Sequence, residues 1–98
     1  MSDLKLGIIG AGNIAIKHLE TIEHIDGLKV VAITSRTIEK AEILANQFKI
    51  NSVCQNYKIM IEKNKPDALL IVVSDDQIFD VTKKILPYKI PFFIEKPP

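Results

Sequence analysis

Apolar and polar positions along the chain alternate between two periods. Lys5-Leu-Gly-Ile-Ile9 is a short apolar run of strand type, and Ile14, Leu19 and Ile22, with His18 in part, then recur at helical spacing. Ile25-Asp-Gly27 reads as the end of that helix. Leu28-Lys-Val-Val-Ala-Ile33 predicts a second strand, and Ile38, Ala41, Leu44, Ala45 and Phe48 share one face of a second helix. A third strand is expected over Ile50-Asn-Ser-Val-Cys54. A brief helix with Tyr57, Met60 and Ile61 follows, ending near Lys63-Asn-Lys-Pro66. Ala68-Leu-Leu-Ile-Val-Val73 is continuously apolar, as in a parallel strand covered on both faces. Ile78, Val81, Ile85 and Leu86 predict a fourth helix, and Pro91-Phe-Phe-Ile94 a fifth strand. Strands alternating with helices demand right-handed parallel crossovers, so the expected fold is α/β, a doubly wound parallel sheet ordered 3-2-1-4-5. In such a sheet ligands bind over the carboxyl ends of the strands, which here carry Gly10, Ser35, Ser74 and Glu95.

The first of those ends holds the sharpest chemical signal. Gly10-Ala11-Gly12-Asn13-Ile14-Ala15 fits G-x-G-x-x-G/A: Gly10 for the tight turn, Gly12 for close approach of backbone to a pyrophosphate, and Ala15 for close packing of helix on strand. The amides at the helix start, at Asn13 and Ile14, then face the anion, where unsatisfied N–H groups and the helix dipole favour negative charge. At the end of the second strand Thr34-Ser35-Arg36-Thr37 has no carboxylate to bind both ribose hydroxyls and repel a 2′-phosphate. Ser35 and Thr37 can donate hydrogen bonds, and Arg36 is suited to phosphate or to stacking on adenine, so NADP is favoured, with NAD accommodated. The alternative for this segment is a helix start capped by Ser35 or Thr37. Ser74 or Asp75 is read first as a cap for the fourth helix, and Ser74 second as a cofactor ligand.

Composition narrows the class. The 98 residues suit one small domain, and 13 basic against 12 acidic side chains give a net charge of +1, which does not favour nucleic acid or a membrane surface. The amino terminus lacks a secretory pattern and no apolar run reaches the roughly 18 residues of a membrane span, so a cytoplasmic location is expected. The single cysteine, Cys54, cannot form an internal disulfide and reads as a structural thiol; no metal site is expected. His18 reads as a helix-surface or packing residue and His24 as a residue near the helix end.

After the fifth strand stands Glu95-Lys96-Pro97. With the glycine fingerprint on the first strand, this tripeptide makes the chain resemble the glucose-fructose oxidoreductase/inositol dehydrogenase (Gfo/Idh/MocA) family over its whole length. The resemblance implies the amino-terminal NAD(P)-binding Rossmann domain, here 1–98, without the family's last strand and its carboxy-terminal substrate domain. It implies an oxidoreductase that moves hydride to or from a sugar, polyol or related metabolite, inactive as this fragment alone, with homo-oligomers formed through the second domain. Lys96 is then the catalytic residue, near nicotinamide and the reacting carbinol, with Glu95 and Pro97 shaping that corner. The alternative is a solvated lysine at a strand end; the resemblance, which joins the tripeptide to the fingerprint, favours the site. Relatives also use an Asp-x-x-x-His pattern from the second domain, and often a Thr-Pro-x-x-x-His-like loop after strand four. This chain reads Ser74-Asp75-Asp76-Gln77-Ile78 there, with Ser74 in the proline position and Ile78 in the histidine position. Two other functions are carried: a noncatalytic dinucleotide sensor or co-regulator, and a stand-alone nucleotide-binding module.

Overall fold

A computed structural model describes residues 3–95. Its elements run β1 (Leu4–Ile9), α1 (Asn13–Ile22), β2 (Leu28–Thr34), α2 (Ile38–Phe48), β3 (Val53–Cys54), α3 (Tyr57–Asn64), β4 (Ala68–Ile71), α4 (Asp75–Ile85), a 3-10 turn (Leu86–Tyr88) and β5 (Phe92–Ile94). The strands form one sheet in the expected order, β3-β2-β1-β4-β5, and every pairing is parallel.

Side-chain alternation along β1 divides the core in two. Leu6 and Ile8 face the cluster built with Ala15 and Leu19 of α1 and Ala41, Leu44 and Ala45 of α2. Ile9 faces the opposite cluster, which holds Cys54, Met60 and Ile61, Leu69 and Ile71 of β4, and Ile85 of α4. Burying Ile8, Ile33, Met60, Leu69, Ile71 and Ile85 almost completely stabilises the sheet by about 1.5–3 kcal/mol for each side chain, before the entropy of ordering it. Asp67 fixes the entry to β1: its Oδ2 accepts from Lys5 N at 2.8 Å, and its own N–H donates to Lys5 O at 2.8 Å.

Three element ends depart from the hydrophobic pattern. The third strand is shorter than 50–54 because Ile50 finishes α2 instead. Lys49 turns left-handed at φ 59°, Ile50 N donates to Ala45 O at 2.9 Å, and the Ile50 side chain enters the core. The fourth strand's ladder ends at Ile71, although Val72 N still donates to Ile9 O at 2.9 Å. Leu86, expected on the buried face of the fourth helix, is 59% exposed, because Pro87 follows and the chain tightens into the 3-10 turn. No helix among the described residues is long and apolar enough to cross a membrane.

Candidate functional site

The carboxyl ends of β1, β2 and β4 meet at the glycine turn. Gly10 N donates to Thr34 O at 2.8 Å, tying the turn to the end of β2, and Val72 N ties β4 to the end of β1. At φ 123° Gly10 occupies backbone that side chains rarely adopt, and a Cβ there would overlap the carbonyl oxygen of Val72 and stand 2.8 Å from its carbonyl carbon. Glycine is thus demanded at this position by the fold itself. Ala15, fully buried, lets α1 pack close to the sheet.

Gly12 differs in kind. Its backbone is extended, φ −89° and ψ −168°, which any residue adopts, and a Cβ on it would meet no atom of the described residues within 4 Å. Folding does not require glycine there; a group approaching the turn would. Gly12 also caps α1 without a side chain, so among the described residues no side chain accepts from the first-turn amides, and no acidic residue stands in that turn to neutralise the dipole. Asn13 is exposed and Ile14 half-buried. The arrangement can receive an anion on free N–H groups at the positive end of a ten-residue helix.

Two cavities extend the turn along the sheet edge. One, of about 280 Å³, is lined by Gly12, Asn13, Ile14, Val72, Val73, Ser74 and Glu95. The other, of about 210 Å³, reaches from Ile9 and Gly10 past Thr34, Ser35 and Arg36 to Tyr57 of α3 and Gln77 and Asp80 of α4. Glu95 is held by its N–H, which donates to Ile71 O at 3.0 Å. The fold therefore brings Gly10, Ser35 and Arg36 to one cavity and Gly12, Asn13, Ile14, Ser74 and Glu95 to the other, the two meeting at Val73. Thr37 is exposed at the N-cap of α2, where Ser35 Oγ accepts from its N–H at 3.2 Å in a local turn; neither hydroxyl makes a side-chain cap bond to the helix. Lys96 and Pro97 lie outside the described residues. Cys54 is buried, its thiol directed to Asn64 Oδ1 at 3.4 Å, and His18 lines an apolar groove with Leu4, Leu70 and Phe93.

Ser74 stands at the N-cap of α4 but forms no side-chain cap. Its hydroxyl donates to Asp76 Oδ1 at 2.5 Å and accepts from Gln77 Nε2 at 2.8 Å. The Asp76 carboxyl is held below the usual carboxylate range, chiefly by that hydrogen bond and more weakly by the Arg36 guanidinium. Asp80 carries a salt bridge to Lys84 at 2.9 Å, which in turn raises the lysine's pKa. No carboxylate adjoins Arg36 in the segment that follows β2. Asp80, from α4, lines the same cavity as Arg36.

Comparison with known proteins gives three findings. Residues 4–98 match the family model for GFO_IDH_MocA, an oxidoreductase family with an NAD-binding Rossmann fold. The uncharacterized oxidoreductase YgjR of Escherichia coli (strain K12) is 28% identical over 94 residues, covering 96% of this chain and 29% of that protein. Among solved structures, myo-inositol 2-dehydrogenase from Lactobacillus plantarum superposes with a TM-score of 0.85 at 28% identity, over 98% of this chain and 29% of its own. KijD10, a 3-ketoreductase from Actinomadura kijaniata in complex with NADP and TDP-benzene, has a TM-score of 0.85 at 23% identity, over 98% of this chain and 30% of its own, a likeness of fold. The chain spans about 29% of the length of the curated relative it matches.

Proposed function

The chain belongs to the Gfo/Idh/MocA oxidoreductase family, and from that premise we propose that residues 1–98 form the dinucleotide-binding domain of an enzyme that transfers hydride to or from a sugar, polyol or related metabolite. The observation that carries the reading is Gly12. The protein leaves open the space a side chain would fill and aims unpaired amides at it, as a pyrophosphate requires.

In this reading the turn at Gly10, Gly12, Asn13 and Ile14 holds the pyrophosphate. Ser35, Arg36 and Thr37 take the adenosine end, where a guanidinium and two hydroxyls favour the 2′-phosphate of NADP over the bare ribose of NAD. The cavity between Ile14, Ser74 and Glu95 takes the nicotinamide end. When bound, the cofactor supplies the hydride donor or acceptor. Lys96 then acts as the cation beside the substrate oxygen, offsetting charge that develops there as a carbinol gives up hydride or the corresponding carbonyl accepts it, and Pro97 shapes the same corner. A polyol substrate is also what the name of the Lactobacillus plantarum relative describes. The substrate-side acid and base are assigned to a second domain, as is homo-oligomerisation.

A parallel titration with NADPH and NADH tests the reading through nicotinamide emission, which no tryptophan in the sequence obscures. Binding of both with NADPH the tighter is expected, and Arg36→Ala should weaken NADPH far more than NADH. Equal losses would replace phosphate recognition with adenine stacking, and binding of neither cofactor would overturn the assignment of the crevice.

A further inference from the structure

We propose that Gln77 is a specificity-determining residue of the cavity it lines with Arg36: oriented by Ser74, its side-chain carbonyl reads the exocyclic amine of adenine and so selects an adenine dinucleotide over one that carries hypoxanthine. The inference rests on the dinucleotide reading above and deepens it at the base-binding end.

In a dinucleotide whose pyrophosphate lies on the glycine turn and whose ribose lies at the end of β2, the base comes next. The space there is the cavity of about 210 Å³ that Ser35 and Arg36 share with Tyr57 of α3 and Gln77 of α4. Ile9, Val73 and Val81 give it apolar surface for the face of a ring. The Tyr57 ring stands edge-on to Tyr88, centroids 6.4 Å apart and planes at 81°, a packing that fixes its orientation. Surfaces of this kind accept any purine, so discrimination between bases falls to the polar groups around them.

Gln77 is the polar group whose orientation is determined. The Ser74 hydroxyl has a single proton, which goes to Asp76 Oδ1 at 2.5 Å, so toward Gln77 the same oxygen only accepts. Gln77 therefore presents Nε2 to Ser74, at 2.8 Å, and turning its amide over would set Oε1 against Ser74 Oγ, acceptor against acceptor. The backbone of Gln77 is tied to the same residue, its N–H donating to Ser74 O at 2.9 Å. Oε1 is left as the accepting end of a half-buried side chain that lines the cavity. Adenine offers a 6-amino group to such an oxygen. Hypoxanthine brings a carbonyl to the same position, oxygen facing oxygen. Asp80 lines the cavity as well, but its carboxylate is bound to the Lys84 ammonium at 2.9 Å.

NADPH is titrated in parallel with reduced nicotinamide hypoxanthine dinucleotide phosphate, in which a 6-carbonyl and an N1 proton replace the purine 6-amino group. The parent protein and the Gln77→Leu, Ser74→Ala and Asp80→Asn variants are compared. The parent is expected to bind NADPH about tenfold more tightly, the scale of one neutral hydrogen bond. Leucine is a good helix former, so Gln77→Leu keeps α4 and should lose most of that ratio while still binding NADPH. Ser74→Ala releases the amide to turn and donate to the hypoxanthine carbonyl. The ratio should then fall with Gln77 still in place, a change that a merely structural role of Ser74 would not produce. Equal binding of the two dinucleotides by the parent would overturn the inference and leave the dinucleotide reading standing. A ratio retained in Gln77→Leu, or lost in Asp80→Asn alone, would overturn it as well. Loss of NADPH binding in Gln77→Leu, with the ratio unmoved in Ser74→Ala, would show Gln77 to be structural and have the same consequence. Failure of the parent to bind NADPH or NADH would overturn both readings.

Discussion

Gly10 and Gly12 stand two residues apart in one motif, and their replacement should fail in opposite ways. In Gly10→Ala the new methyl forces φ 123° on a residue with a side chain, at about 1–3 kcal/mol. It also overlaps the Val72 carbonyl, and relief requires the end of β4 to move from β1, at the expense of the 2.9 Å bond from Val72 N to Ile9 O, about 1 kcal/mol more. The expected loss is about 2–4 kcal/mol, a large part of the roughly 5–15 kcal/mol that holds a domain together. In Gly12→Val the extended backbone is one that valine adopts, and the side chain enters open space. Only the helix cap changes, for about 1 kcal/mol or less. Dinucleotide affinity should nevertheless fall about a hundredfold or more, a cost near 3 kcal/mol, because the side chain occupies the approach to the α1 amides.

Urea unfolding followed by far-ultraviolet circular dichroism measures the first quantity, and NADPH titration the second. Gly10→Ala should unfold at much lower urea, and Gly12→Val near the parent midpoint with binding lost. If Gly12→Val were as unstable as Gly10→Ala, the space above Gly12 would belong to folding and the central observation would lose its meaning. If Gly12→Val bound NADPH undiminished, the amides of Asn13 and Ile14 would not be the cradle.

Two further outcomes follow from local geometry. Lys65 ends α3 in left-handed backbone at φ 47°, so Lys65→Gly should gain about 0.5–1 kcal/mol, the relieved strain less glycine's extra freedom when unfolded, and raise Tm by a few degrees in a thermal melt; a lower Tm would mean that the lysine side chain contributes more than its backbone costs. Folding lowers the Asp76 pKa, so the stability linked to it is present above the unfolded carboxylate value of about 3.9 and is lost as pH falls through the folded value. Ser74→Ala removes the chief cause, and the Asp76 carboxyl resonance should then titrate at higher pH by NMR; an unmoved midpoint would assign the effect to another group.

Whatever depends on periodicity was readable in the chain. The buried run at Ala68–Ile71 admits only a strand covered on both faces, and strand–helix alternation leaves few topologies. Element ends were less legible, because one apolar residue can serve two structures. Ile50 fits a strand by type, but the left-handed turn at Lys49 draws it into the α2 cap. Leu86 fits the helical period, but Pro87, two residues past the end of α4, diverts the chain into the 3-10 turn.

The site divides along the same physical line. Gly10, Gly12 and the first-turn amides are neighbours in sequence, so spacing alone could find them. The electrostatics at Arg36 are not local, since the walls of the crevice come from segments that follow different strands. The order β3-β2-β1-β4-β5 reverses direction at β1, so the chain leaving β2 and the chain leaving β4 diverge from either side of the glycine turn and face one another. A window of residues after β2 can hold only one wall. Once the strand order is inferred, however, the facing wall follows from it, and Gln77, Asp80 and Val81 of α4 are the residues that line the cavity opposite Arg36. A cofactor preference taken from the β2 end alone is then a statement about one wall of that cavity, and α4 supplies the other.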